Sequence, residues 1–354
     1  MGTQYRQPPK FAWRKALQYG GSTPLVAFNG MVFSVIVEEH QSALAGINVQ
    51  DGTTVWERAI RHWPSSPTCP PMVIGDLLYY GSYDDLLVLD PATGREVHRC
   101  QLPDGTYVTA PPSMADNLLL VPTASWTLLA LDRRSLDVVW ESERATGSLN
   151  AKAVAEGNRI YLAAMEEVWC LERQTGKIIW RGNGGERTLP FLHRSSVLVD
   201  RLIVPVGRQN RAVLALRKSD GSRVWRTLLE GDRPGSEVIY GFDSPCLPHH
   251  DVVLCGSTDG CLYALAQSDG RVLWRTCTGG AVLAPPLLAG DTLLFGSSDG
   301  TLNAVEPTDG HLGWSVDVGG AVWDTPVLEQ ETVLVTSLQI TERGGAGWLV
   351  ASTF

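Results

Sequence analysis

The sequence predicts an all-β fold: a single eight-bladed β-propeller of four-stranded antiparallel blades, closed by the N-terminal strand completing the last blade. Three observations predict it. First, a turn followed four residues later by tryptophan recurs along the 354 residues. The phrase reads Asp51-Gly52 to Trp56, Thr93-Gly94 to His98, Leu136-Asp137 to Trp140, Thr175-Gly176 to Trp180, Asp220-Gly221 to Trp225, Asp269-Gly270 to Trp274 and Asp309-Gly310 to Trp314. Second, its anchors at 56, 98, 140, 180, 225, 274 and 314 lie 40 to 49 residues apart. That is the period of propellers and related arrays. Third, the tail of the phrase stands alone at the start. Phe11-Ala12-Trp13-Arg14 matches Ile179-Trp180-Arg181, Val224-Trp225-Arg226 and Leu273-Trp274-Arg275.

The stretch from Pro285 to Val316 shows the plan of one blade. Pro286-Leu287-Leu288 opens a first strand and Ala289-Gly290-Asp291 turns it. Thr292 to Phe295 is a second strand, Ser297 to Gly300 a turn, Thr301 to Val305 a third strand. Pro307 to Gly310 turns again into His311 to Val316. Short β-rich runs bounded by Gly, Asp, Ser and Pro are the strand-and-hairpin signal. First-strand openings recur at Thr23, Pro70, Pro111, Ala151, Arg194, Ser244, Pro285 and Thr325. There is therefore one more opening than there are turn-tryptophan phrases. The blades run at about 23–60, 70–102, 110–146, 151–183, 194–230, 244–278, 284–318 and 325–354, the last completed by 11–19. The whole of 1–354 is one domain of about 44 residues per blade, a repeat array. Closure leaves only short, protected sheet edges.

Leu128-Leu129-Ala130-Leu131-Asp132 through Trp140, and Leu86 to Asp90 through Gly94, resemble the repeat of the PQQ-like (quinoprotein-type) propeller family. The resemblance covers essentially the whole chain. It implies that Trp13, Trp56, Trp140, Trp180, Trp225, Trp274 and Trp314 pack between neighbouring blades as a docking motif. His98 stands where that tryptophan is expected, so the junction after the second blade is expected to be weaker. Trp63, Trp126, Trp169, Trp323 and Trp348 fall outside the docking position. Quinone dehydrogenases of this family commonly use adjacent cysteines and an oxygen-rich calcium set. No two cysteines are adjacent here and no convincing carboxylate set is present, so no cofactor is expected. The chain is also similar to the propeller lipoprotein of the bacterial outer-membrane assembly machine, which needs a secretion signal and a lipidated cysteine. Met1 to Lys10 carries no apolar stretch of signal length.

A net charge of −9 argues against nucleic acid and against anionic membranes as partners. Seven cysteines without paired spacing lead to the expectation of free thiols in a reducing, cytoplasmic compartment. A disulfide between Cys255 and Cys261, across their tight turn, is weighed against two half-buried thiols. The second is preferred. His249-His250 lies in a turn with no third ligand in sequence, so no metal site is expected. The Asp-Gly turns repeat as hairpin chemistry, and their aspartates are structural by default.

Function is expected on the face that carries the two-to-three loops and the segments leading into each first strand. Against the chain's own consensus Gly-Ser-x-Asp-Gly, blade three offers Trp126, blade four Glu166, blade five Arg208 and blade eight Arg343. The lead-in segments offer Tyr107, Asn150, Lys152, Phe191, His193, Arg194, Tyr240, Asp243, Trp323 and Asp324. Tyr107, Trp126, Asn150, Glu166, Phe191, Arg194, Arg208, Trp323 and Arg343 are the candidate ligand contacts. Asp243 and Asp324 either cap their strands or share acid-base work with His193, Lys152 and Tyr240. Two functions stay open: a cytosolic platform binding a small molecule, peptide or protein at the channel mouth, or a cofactor-independent lyase, cyclase or hydrolase.

Overall fold

The computed structural model describes residues 4–17, 25–37, 42–61, 70–82, 84–164, 167–185, 196–197, 201–206, 212–228, 245–341 and 344–354. It contains eight separate four-stranded antiparallel sheets in a ring, with two short 3₁₀ turns as its only described helical elements. Blade 3 is typical: Ser113–Ala115, Leu118–Pro122, Leu128–Asp132 and Val138–Glu141 pair in chain order. First strands of neighbouring blades approach each other, which places them innermost. Second and third strands are almost wholly buried, whereas the fourth strand Arg223–Leu228 alternates out and in. A strand sandwiched between two blades is apolar on both faces, and an outer strand on one.

The last blade is composite. Lys10–Leu17 pairs antiparallel with Gly344–Thr353 from Lys10↔Thr353 to Leu17↔Gly347. It supplies the fourth strand that 327–354 lacks, as the isolated Phe11-Ala12-Trp13-Arg14 phrase predicts. Tyr5, just before that strand, stacks edge-on against Phe354 with ring centroids 4.8 Å apart.

The core is distributed. Each of eight buried apolar clusters joins two consecutive blades. Leu334, Leu349 and Ala351 of blade 8 pack with Val32, Ala45 and Ile47 of blade 1, which closes the ring. Each seam except the one after blade 2 also carries one indole. The Nε1–H of Trp13 donates to the Val49 carbonyl at 2.9 Å, Trp56 to Pro91 at 2.8 Å and Trp140 to Arg173 at 2.9 Å. Trp180 donates to Lys218, Trp225 to Gln267 and Trp274 to Pro307. Trp314 donates to the Tyr5 carbonyl at 3.0 Å, because Tyr5 stands where blade 8 has no turn of its own.

Each of the six acceptors other than Tyr5 lies three residues before a turn glycine, and that glycine lies under the same indole. A Cβ on Gly94 (φ 66°) would sit 2.4 Å from the Trp56 ring. Gly52, Gly176, Gly221, Gly270 and Gly310 meet Trp13, Trp140, Trp180, Trp225 and Trp274 in the same way. Glycine is required twice here, for the left-handed backbone and for the space.

Blade 2 breaks both halves of the rule. His98 is exposed and does not dock. The turn it would meet has Leu136 in place of glycine, at φ 61°. Leu136 is 4 % exposed and packs with Leu102, Val108 and Leu131, while the Cys100 thiol donates to its carbonyl. The leucine occupies the side of the turn that an indole covers elsewhere. The seam after blade 2 is thus filled from the opposite partner.

Two outcomes follow. Gly94→Ala should cost about 3 kcal/mol in urea unfolding, from backbone strain plus overlap with the indole. Gly105→Ala, at φ 65° with nothing within 4 Å, should cost only about 1 kcal/mol; equal costs would remove the packing argument. Leu136→Gly and His98→Trp should each destabilise, and together should recover at least about 1 kcal/mol in a double-mutant cycle. Simple additivity would show that the two positions do not exchange roles.

Candidate functional site

The lead-in segments and two-to-three loops form one face because they hydrogen-bond to each other. Val282 N–H donates to Ser257 O, Val322 N–H to Ser297 O, and Ala124 N–H to Tyr107 O. The Ser298 hydroxyl accepts from Ala281 N–H at 2.7 Å, and Asp299 Oδ2 from Gly279 N–H at 2.6 Å. These contacts make the consensus loop a backbone scaffold, with its serine and aspartate structural. On the opposite face, the carboxylates of Asp51, Asp220, Asp269 and Asp309 each accept the N–H two residues on. The Thr53 hydroxyl and the Ser222 hydroxyl hold the Asp51 and Asp220 carboxyls below the usual carboxylate range. The hairpin reading of these aspartates fits both observations.

Of the candidate site residues, Tyr107, Trp126, Asn150, Lys152, Trp323 and Asp324 are described. Glu166, Phe191, His193, Arg194, Arg208, Tyr240, Asp243 and Arg343 lie outside the described residues. Asp324 accepts the Thr336 hydroxyl at 2.9 Å, a side-chain tie into its own blade. Asn150 donates to the Ser148 hydroxyl at 3.1 Å, and Lys152 is half-buried. Trp323 is half-buried with its indole N–H buried and unpartnered.

Trp126 is the departure with the clearest geometry. The loop Thr123 to Thr127 repeats the hydrogen bonds of Ser257 to Cys261 and Ser297 to Thr301. Trp126 N–H donates to Thr123 O as Gly260 donates to Ser257 O and Gly300 to Ser297 O. Trp126 therefore stands at the loop's glycine position, at φ 67° where Gly260 and Gly300 have 92° and 96°. A bulky residue there is an outlier costing of order 1 kcal/mol or more. Its ring is 37 % exposed, and the Arg144 guanidinium lies over it at 4.6 Å. Arg144 comes from the segment leading into blade 4, tied to the loop by Ala145 N–H donating to Trp126 O at 2.8 Å.

Sequence reading missed Arg144, because nothing in its spacing places it over an indole. It also missed a charge network at the seam of blades 1 and 2. There the buried Asp85 carboxylate accepts from Arg61 at 2.8 Å and Arg99 at 2.5 Å. Arg61 and Arg99 stay partly exposed, so the pairs contribute modestly.

The cysteines correct the sequence expectation. Cys246 is bonded to Cys255 and Cys261 to Cys277. The pair weighed across the tight turn does not form, because strand register sets Cys255 opposite Tyr263 and Cys261 opposite Cys277. Cys100 and Cys170 are free thiols, whose titration burial pushes up. Among the described residues, no group of three or more His, Cys, Asp or Glu is placed to hold a metal, and no helix is long and apolar enough to cross a membrane.

Comparisons place this geometry among known proteins. The family model described as outer membrane protein assembly factor BamB matches residues 8–181, 89–243 and 241–347. An uncharacterised protein of Rickettsia conorii is 28 % identical over 158 residues, 41 % of this chain and 38 % of that protein. The structure of BamB from Moraxella catarrhalis superposes with TM-score 0.69 at 16 % identity, over 98 % of this chain and all of that one. A europium-containing methanol dehydrogenase gives TM-score 0.75 at 11 % identity, over 100 % of this chain and 95 % of its own. At such identities these structures share the fold alone.

The disulfides make a direct expectation. After denaturation, reduction should reveal four additional alkylatable thiols, at Cys246, Cys255, Cys261 and Cys277. Full labelling of those four without reductant would show that the bonds are absent.

Proposed function

The chain belongs to the family of outer membrane protein assembly factor BamB, and from that premise we propose that it is a non-catalytic platform for a protein partner. The face of lead-in segments and two-to-three loops is the binding surface. The carrying observation is the loop of blade 3: a scaffold identical to its siblings in hydrogen bonding presents a partly exposed indole instead of glycine. Exposed aromatic and arginine side chains on a rigid frame suit a protein interface. The family description supports an accessory role in assembling outer-membrane proteins.

The family tryptophans fit the same reading. Seven indole contacts across the seams support treating them as the docking motif that keeps the platform rigid. Two disulfides support an oxidising compartment, against the cytoplasmic placement that unpaired thiols alone suggest. The enzyme reading has less support. The Asp324 carboxylate accepts the Thr336 hydroxyl within its own blade, which supports a structural role for it.

The test blocks one face at a time. A polyethylene glycol chain is attached at Thr146→Cys, on the proposed face, or at Asn158→Cys, on the opposite face. Each protein is then used to recover assembly-machinery proteins from membranes of its own cells. Loss of partners with the first block and retention with the second is expected. A retained small-molecule mass with no protein partner, or loss from the opposite face alone, would overturn the platform reading.

A further inference from the structure

The Arg144 guanidinium carbon lies over the Trp126 indole, 4.6 Å from the ring centroid. Arg144 makes no ion pair and no hydrogen bond among the described residues, and both side chains are exposed. Arginines elsewhere on the ring are commonly engaged: Arg58, Arg61, Arg99 and Arg173 by carboxylates, and Arg159 and Arg201 by carbonyls. A guanidinium held over an aromatic ring can still present its N–H fork to a carboxylate through two parallel hydrogen bonds. The indole beside it offers an apolar contact of low conformational freedom. The left-handed backbone that holds the indole outward is an unfavourable choice where sibling loops use glycine. Such outliers cluster at ligand clamps.

We propose that Trp126 and Arg144 form an anchor for a protein segment that places an Asp or Glu carboxylate on the guanidinium edge and an apolar side chain on the indole. This rests on the platform reading and names its partner's chemistry. Charge complementarity commits the occupant: among the described residues Arg144 is a cation with no ion pair, on a chain of net charge −9. Glu143, the exposed neighbour in sequence, is not paired with it.

The probe is an extended peptide of alternating Glu and Phe, compared with its Gln-for-Glu counterpart and with free succinate, by titration calorimetry on the full chain. The Glu peptide should bind at least about tenfold more tightly than the Gln peptide, which corresponds to about 1.4 kcal/mol. Arg144→Gln should abolish that preference. Trp126→Gly should weaken both peptides by a similar factor. Arg144→Lys should keep part of the preference, since charge survives without the planar fork. All variants should keep the wild-type unfolding midpoint within a few degrees.

Equal affinity for both peptides, or a preference that survives Arg144→Gln, would overturn the anchor. Succinate binding as tightly as the Glu peptide would overturn the protein-segment assignment in favour of a small anion. The readings fail separately. If membrane partners survive Arg144→Gln and Trp126→Gly yet are lost on blocking Thr146→Cys, only the anchor falls. If they survive that block too, the platform falls.

Discussion

The ring depends on one interaction repeated around it: an indole laid on the turn of the next blade, donating to a carbonyl three residues before a glycine that lacks the Cβ to obstruct it. The two ends of the repeated phrase therefore serve different neighbours. The turn receives the blade before it and the tryptophan engages the blade after it. A change on one side of a seam alters what the other side must be. His98 and Leu136 illustrate this: where the indole is missing, the glycine is also missing, and a leucine in the left-handed region fills the seam from the far side. The expectation of a weaker junction rests on the first change; the second adds a buried leucine to the same seam.

Function is separated from this constraint by a division of labour within the blade. On the proposed face the loops are positioned by main-chain hydrogen bonds. The same bonds hold Trp126 and Gly260, so the side chain can change while the loop stays. On the opposite face the turns are occupied by seam contacts and by aspartates bonded to their own backbone. Variation is thus permitted on one face and restricted on the other.

Most of the architecture was legible in the sequence because glycine and tryptophan are stereochemically demanded at fixed spacing. The composite blade was legible for the same reason, from Trp13 alone. The disulfides were not. Cys261 and Cys277 are 16 residues apart, and only the register of two strands across a bulge sets them opposite each other. The local candidate, Cys255 with Cys261, was the pair that spacing suggests and register forbids. The site was legible as a list of departures from the repeat, which singled out Trp126. Its partner was not, since Arg144 lies eighteen residues on, beyond the fourth strand of the blade, and long side chains on loops carry no periodic signal. The contact of Asp324 with Thr336, twelve residues away, was likewise not legible, because it is created by the fold of its blade.

The composite blade has a topological consequence. In an open stack of repeats, either end can fray while the rest persists, because each unit meets only its neighbours. Here both ends of the chain lie in one sheet, with Lys10–Leu17 hydrogen-bonded along Gly347–Thr353 and Trp314 bound to Tyr5. No blade is terminal, so no blade has a neighbour on one side only. Departure of that single outer strand, eight residues along one edge, would open the ring and turn blade 8 into the end of a stack.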